Sequence, residues 1–248
     1  MLIPRTCQVR YSIGILIFVS GCLDKATESY ICAAQEQALM TRSRERYIHK
    51  DMNVDPKCRV CGEYDETVNH VASGCSQLAK KQYLLRHDRM GKRVHWELCK
   101  KYGVECSEVW YKHVPEKVMM NRGKTVEIWW DNTYVSARRL KHNRPDVLIH
   151  NYEDNEWTLI DFACPMDVNI ERKETEKIVN YQQLANEIRR ANWRSKVEVV
   201  PIVIGALGSV PKRLPEYLKQ LEIPDCIGCM QKSVLLSTRR ILKNILSI

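Results

Sequence analysis

Apolar positions in the N-terminal part of this chain recur at helical spacing, and near residue 124 they give way to short β-rich runs. Residues 29–50 read as one helix, Ala-rich at its start (Ala33, Ala34, Ala38) and basic at its end (Arg42, Arg44, Arg46, Lys50), the sign order a helix dipole favours. Asp55-Pro56 breaks the chain, residues 57–76 form a compact Cys/His block, and residues 77–102 return to a helical, basic pattern. Four strand candidates follow, at 125–130, 147–149, 157–163 and 197–204. The Asn- and Asp-rich stretch 151–155 suits a turn, so the first three strands are expected as an antiparallel meander. Residues 170–193 predict a long helix with Lys173, Lys177, Tyr181, Leu184, Ala185 and Ile188 on one face. The last strand is then expected to rejoin the same sheet by a right-handed crossover. Beyond Gly208, Pro211 and Pro215 open another helix, and Val234, Leu235, Thr238, Ile241, Leu242 and Ile245 form a stripe of the kind that usually packs a core.

At 248 residues and 44% apolar content, the chain can bury one sizeable core with a small satellite module beside it. The expected domains are an N-terminal extension (1–28), a helical and Cys/His region with a basic linker (29–103), and a main domain (104–248). A formal charge of +9 favours a polyanionic partner, though charge alone does not separate nucleic acid from a membrane surface. The excess is concentrated at Lys80, Lys81, Arg86, Arg89, Lys92, Arg93, Lys100 and Lys101, opposed by Asp88 and Glu97. A solvated helix face and a phosphate-tracking surface explain that stretch equally well. An odd count of 11 cysteines in a chain of this size suggests thiols or metal ligands in a reducing, nuclear or cytoplasmic setting. One counter-signal is the N-terminus, where Arg5 and Arg10 precede the apolar run 13–19 and then Ser20, Gly21 and Cys22, as in a short signal peptide. A short strand or an artefactual start explains the run too, and seven residues cannot span a bilayer. No longer apolar segment follows, so no membrane partner is expected.

Cys58, Cys61, His70 and Cys75 make a C-x2-C-x8-H-x4-C pattern with Gly62 after the first pair. Four soft or borderline ligands in two close pairs suit tetrahedral, structural Zn²⁺, and Asp65, Glu66 and Thr67 are placed to start the short helix carrying His70. Zinc would replace the core that twenty residues cannot build, and the basic flanks point to nucleic acid. Cys226 and Cys229 also form a C-x2-C pair, but Cys99 and Cys106 are too widely spaced to complete it.

Asp146 follows Arg144-Pro145 and opens a strand, and Asp161 lies in the next one within Leu159-Ile160-Asp161-Phe162-Ala163. An antiparallel hairpin between them would set the two acids side by side. A carboxylate inside such an apolar run is costly to bury unless a cation meets it. Lys177 is one turn before Tyr181 on the following helix, and Lys173 one turn further back. Paired carboxylates with a lysine suit cation-assisted phosphodiester hydrolysis. Equally, the acids could be a turn residue and a salt-bridge partner, and the lysines could snorkel at the edge of an apolar face.

With Arg144-Pro145-Asp146, Asp161 and a lysine on the next helix, residues 105–223 resemble the PD-(D/E)xK restriction-like nucleases. Joined to the upstream C-x2-C-x8-H-x4-C block, residues 30–246 resemble the C-terminal region of site-specific non-LTR retrotransposon proteins that carry a restriction-like endonuclease. The fold this implies is α/β: a small zinc knuckle with helical flanks, then a restriction-endonuclease-like mixed sheet (strand-strand-strand-helix-strand) and C-terminal helices. The implied activity is a nick in one strand of target DNA whose 3′-hydroxyl primes reverse transcription. By the same resemblance Asp146 and Asp161 ligate Mg²⁺ with the Ala163 carbonyl nearby, Lys177 is catalytic, and Tyr181 completes a Lys-x3-Tyr element. DNA, and through the knuckle RNA as well, are the implied partners, with Lys80, Lys81, Arg86, Arg89, Lys92 and Arg93 as contacts. Two departures stand out: Ala163 occupies the usual lysine position, so that role moves to Lys177 on the helix, and these 248 residues include no polymerase domain. A catalytically inactive or domesticated fragment that binds nucleic acid is the alternative reading.

Overall fold

A computed structural model describes residues 23–247. The apolar run 13–19, read above as signal-like, lies outside them. Asp24 caps α1 (Lys25–Gln35) by accepting the Thr27 amide. The single helix expected over 29–50 is two helices, because Gln37 turns left-handed at φ 56° and Thr41 starts α2 (Arg42–Tyr47) by capping Arg44. After the Cys/His block, a short α3 (Ser76–Leu78) runs through a wide π turn, Ala79–Tyr83, into α4 (Leu84–Tyr102), which ends on Gly103 at φ 65°.

The sheet has five strands in sequence order: β1 (Val118–Met120), β2 (Val126–Trp130), β3 (Val147–Asn151), β4 (Glu156–Ala163) and β5 (Lys196–Val203). The first four pair antiparallel. Helix α5 (Ile170–Ala191) then carries the chain back so that β5 pairs parallel with β4, as a strand-helix-strand crossover requires. Strand β1 is absent from the sequence expectation because its three residues, two of them exposed, carry no alternation and are ordered by pairing with β2. The chain closes with α6 (Leu214–Gln220) and α7 (Cys226–Leu246). No described helix is long and apolar enough to cross a membrane.

Both faces of the sheet are covered, which explains why β4 is apolar on both sides. Trp157 and Leu159 pack under Tyr181, Leu184 and Ile188 of α5, whereas Ile160 and Phe162 meet Met90 and Val94 of α4 and Met230 and Val234 of α7. Helix α4 is therefore a core element, although its charge reads as that of a linker. The Cys/His block is likewise built in: Cys58, Val71, Ala72 and Cys75 share a core with Ala34 of α1, Leu207, and Ile241 and Leu242 of α7.

Gly91 sets how closely α4 approaches the sheet. A Cβ there would lie 2.8 Å from Trp130 Cη2 and 2.9 Å from the Phe162 ring, whereas one at Gly228 in α7 would meet nothing within 4 Å. Alanine gains about 1 kcal/mol over glycine inside a helix, and overpacking a core costs about 1–3 kcal/mol. In urea unfolding, Gly91→Ala is expected to lose a net of up to about 2 kcal/mol and Gly228→Ala to gain up to about 1 kcal/mol. Equal and stabilising effects would show that α4 is not held at contact distance.

Candidate active site and metal cluster

Strand pleating decides what reaches the end of β4. Trp157, Leu159 and Asp161 fall on one face by period two, so the Asp161 carboxylate turns toward α5 with its apolar neighbours. There Lys177 pairs with Asp161 Oδ2, and the Tyr181 hydroxyl lies 3.0 Å from Oδ1. Tyr181 is also 2.9 Å from the Arg144 carbonyl, so its one hydrogen is shared between two acceptors and fixes the Asp161 rotamer against the chain leading into β3. Lys173 turns away and pairs with Glu176 at 2.7 Å.

Asp146 enters from the segment leading into β3 and accepts the Phe162 amide at 2.7 Å. A residue in a strand directs its N–H and carbonyl to the same edge, so the Phe162 carbonyl also faces the Asp146 side. The Ala163 carbonyl, named above as the nearby oxygen, faces the other way and accepts from Ile204 at 3.0 Å. That is a correction of one residue, set by the alternation of ladder bonds.

Sequence reasoning missed His87. It projects from α4 one turn before Gly91, and its Nε2 lies 3.2 Å from Asp146 Oδ2 while Nδ1 lies 3.2 Å from Asp88. Burial opposes a charge on this ring, but the two carboxylates outweigh it and push the pKa up to about 10. For Asp146, burial is outweighed by His87 and the Phe162 amide, which hold the carboxyl below its usual range. For Asp161 the balance is reversed: burial and the nearby Asp146 charge push it up to about 6, against the pull of Lys177. The only available signal for His87 was its helical position among the basic residues, which pointed outward as readily as inward.

The Cys/His block folds as its spacing requires. Gly62 takes φ 69° to close the first pair, its amide bonding the Cys58 carbonyl at 2.8 Å. Thr67 accepts the His70 amide at 3.1 Å and starts the turn that carries the imidazole. Cys61 Sγ lies 3.3 Å from His70 Nε2, and the four ligand atoms of Cys58, Cys61, His70 and Cys75 lie within 4.8 Å of one another. This cluster can hold a metal ion and is compatible with tetrahedral zinc. Buried Glu66 braces it, accepting from Arg59 Nε and Nη2 at 2.8 Å and from the Arg42 amide at 3.1 Å.

The basic residues separate into roles. Lys80, Lys81 and Arg89 are exposed and Lys92 is partly so, while Arg93 pairs with Glu97 and lies over the Trp96 ring. Arg86, grouped with them above as a contact, is instead 1% exposed. It donates to the Ala72 carbonyl, Thr238 Oγ1 and the Cys164 carbonyl at 2.7, 2.9 and 3.3 Å. A guanidinium spent on three interior acceptors is not available to phosphate.

No family model and no curated protein matches the chain. Among solved structures, an N-terminal domain of a reptarenavirus L protein aligns over 85% of this chain and 92% of that one, at 14% identity and a TM-score of 0.30. A likeness at that level carries no argument, and the site stands on its own geometry.

Asp161 gives the site a measurable signature. Its folded pKa of about 6 lies above the 3.8 of a free carboxyl, so the folded chain holds the proton more tightly and loses stability as pH rises through that window. Asp161→Asn has no such titration. In EDTA, the variant's stability relative to wild type is expected to rise by about 1–3 kcal/mol between roughly pH 4 and pH 7, read from thermal melts. A difference that stays flat across the range would mean that burial and the Asp146 charge do not raise the Asp161 pKa.

Proposed function

We propose that this chain is a divalent-cation-dependent DNA endonuclease of the restriction-like kind, of the type that nicks target DNA for retrotransposon integration by target-primed reverse transcription. The observation that carries the reading is the convergence of Asp146, Asp161, Lys177 and Tyr181 from the segment before β3, from β4 and from α5 at one end of the sheet. The donor set fits a hard cation: the Asp146 charge acts directly on the Asp161 carboxylate, and Asp161 Oδ2 has an ion pair but no aligned hydrogen bond. Asp146 and Asp161 would hold Mg²⁺, with the Phe162 carbonyl on the same side. Such a cation supplies polarisation of the phosphoryl oxygen and a lowered pKa for the attacking water.

The chain's own groups supply the rest. Lys177, partly exposed beside Asp161, is placed to stabilise negative charge developing on the phosphate. Tyr181 keeps Asp161 in one rotamer, and His87 does the same for Asp146 from the opposite side of the sheet. Lys80, Lys81, Arg89 and Lys92 offer cations for phosphate, and the zinc-compatible cluster anchors that surface to the core. DNA is the proposed substrate, with RNA as a further ligand of the knuckle region, and cutting genomic DNA would require access to the nucleus.

One observation favours the second reading, a catalytically inactive or domesticated fragment that only binds nucleic acid. Each acid already has a cationic partner, Lys177 on Asp161 and His87 on Asp146, so both carboxylates are ion-paired without any metal. A nicking assay on supercoiled plasmid in Mg²⁺ separates the two. Asp146→Asn, Asp161→Asn and Lys177→Ala are each expected to lower the rate by at least about 100-fold, with salt-sensitive DNA binding retained. Binding without Mg²⁺-dependent nicking in the wild type would establish the second reading, and unchanged cleavage in either acid variant would remove the assigned site.

A further inference from the structure

Among the described residues, one other group besides the knuckle gathers three metal-ligating side chains with all ligand atoms within 4.8 Å: His95, Cys99 and His113. None of them touches the proposed nuclease site. His95 and Cys99 are four residues apart on α4 and so share one of its faces. His113 arrives from the loop between α4 and β1, just after the 3-10 turn Trp110–Lys112. All three are buried, at 0%, 0% and 4% exposure.

The geometry is that of a ligand set. Cys99 Sγ lies 3.4 Å from His95 Nδ1, matching the 3.3 Å between Cys61 Sγ and His70 Nε2 in the knuckle. His95 Nδ1 faces His113 Nε2 at 2.7 Å with the rings stacked. Two neutral imidazoles meeting nitrogen to nitrogen form one N–H···N bond, yet Cys99 Sγ closes on the same His95 nitrogen, so that three potential metal donors crowd one point. Zinc bonds of about 2.0–2.1 Å to nitrogen and about 2.3 Å to sulfur place ligand atoms roughly 3.4–3.6 Å apart. Opening the imidazole pair by about 0.7 Å would therefore bring it to the spacing of zinc ligands.

We propose that His95 Nδ1, Cys99 Sγ and His113 Nε2 form a second metal site that takes Zn²⁺ and clamps the loop before β1 onto α4. The clamp acts where the loop is otherwise tied by few bonds, notably Trp96 Nε1 to the Ser107 carbonyl at 2.7 Å and a bridge between Val104 and Asn121. Water or the partly buried Cys106, which packs against the same core as Cys99, completes the tetrahedron. The role is structural, since the three ligands face inward and are shielded from solvent.

Cobalt titration of the metal-stripped chain under reducing conditions tests this directly. Thiolate-to-cobalt charge-transfer absorption reports sites with sulfur ligands and is silent for the carboxylate pair. Wild type is expected to saturate at about two equivalents, Cys99→Ser at about one, and Cys61→Ser to retain the site with fewer thiolates. Should Cys99→Ser fail to fold by circular dichroism, His113→Asn in the loop gives the same reading, and the wild-type stoichiometry stands by itself. Saturation of the wild type at one equivalent, with a spectrum unchanged by Cys99→Ser or His113→Asn, would overturn the second site.

Discussion

A guanidinium sealed from solvent must find acceptors inside the protein, and Arg86 finds them in three separate parts of the fold. Its hydrogen bonds reach the Ala72 carbonyl in the Cys/His block, Thr238 in α7 and the Cys164 carbonyl just past the end of β4. Hydrogen bonds to a charged group are worth about 1.5–3 kcal/mol each, and a buried charge left without them is strongly destabilising. Arg86 thereby fixes the block, the last helix and the tip of β4 relative to one another. The next residue, His87, is the one that reaches Asp146. A metal-compatible cluster with little core of its own is in this way tied to a carboxylate on the other side of α4.

The same logic runs through the candidate active site, where every charged group is placed by an apolar neighbour. Asp161 is on the α5 face because Trp157 and Leu159 are, and Lys177 reaches it because Tyr181, Leu184 and Ile188 seat α5 on that face. His87 reaches Asp146 because Gly91 allows α4 to lie against Trp130 and Phe162. Burial drives up the Asp161 pKa, and hydrogen bonding holds down that of Asp146. Two adjacent carboxylates with pKa values pushed apart by different environments are a common property of sites that do chemistry, and also of buried ion-pair networks.

Much of this was legible because it depends on period and spacing. Four of the five strands, the long helices and the ligand order of the Cys/His block follow from local pattern, and the pairing of Lys177 with Asp161 follows from helix pitch and strand pleat. Features set by tertiary packing were not legible. The break at Gln37 depends on one left-handed residue, β1 on its neighbour, and the inward turn of Arg86 and His87 on acceptors as far as 152 residues away in sequence. The trio of His95, Cys99 and His113 escaped notice because its third member comes from a loop without regular period.

Whether Asp146 and Asp161 act together as the proposed divalent-cation site can be read from anomalous diffraction by crystals grown with Mn²⁺. An anomalous peak is expected between the two carboxylates, with Lys177 displaced from its ion pair toward the open side. A site without a peak, with Lys177 still closed on Asp161 at saturating Mn²⁺, would contradict the proposal.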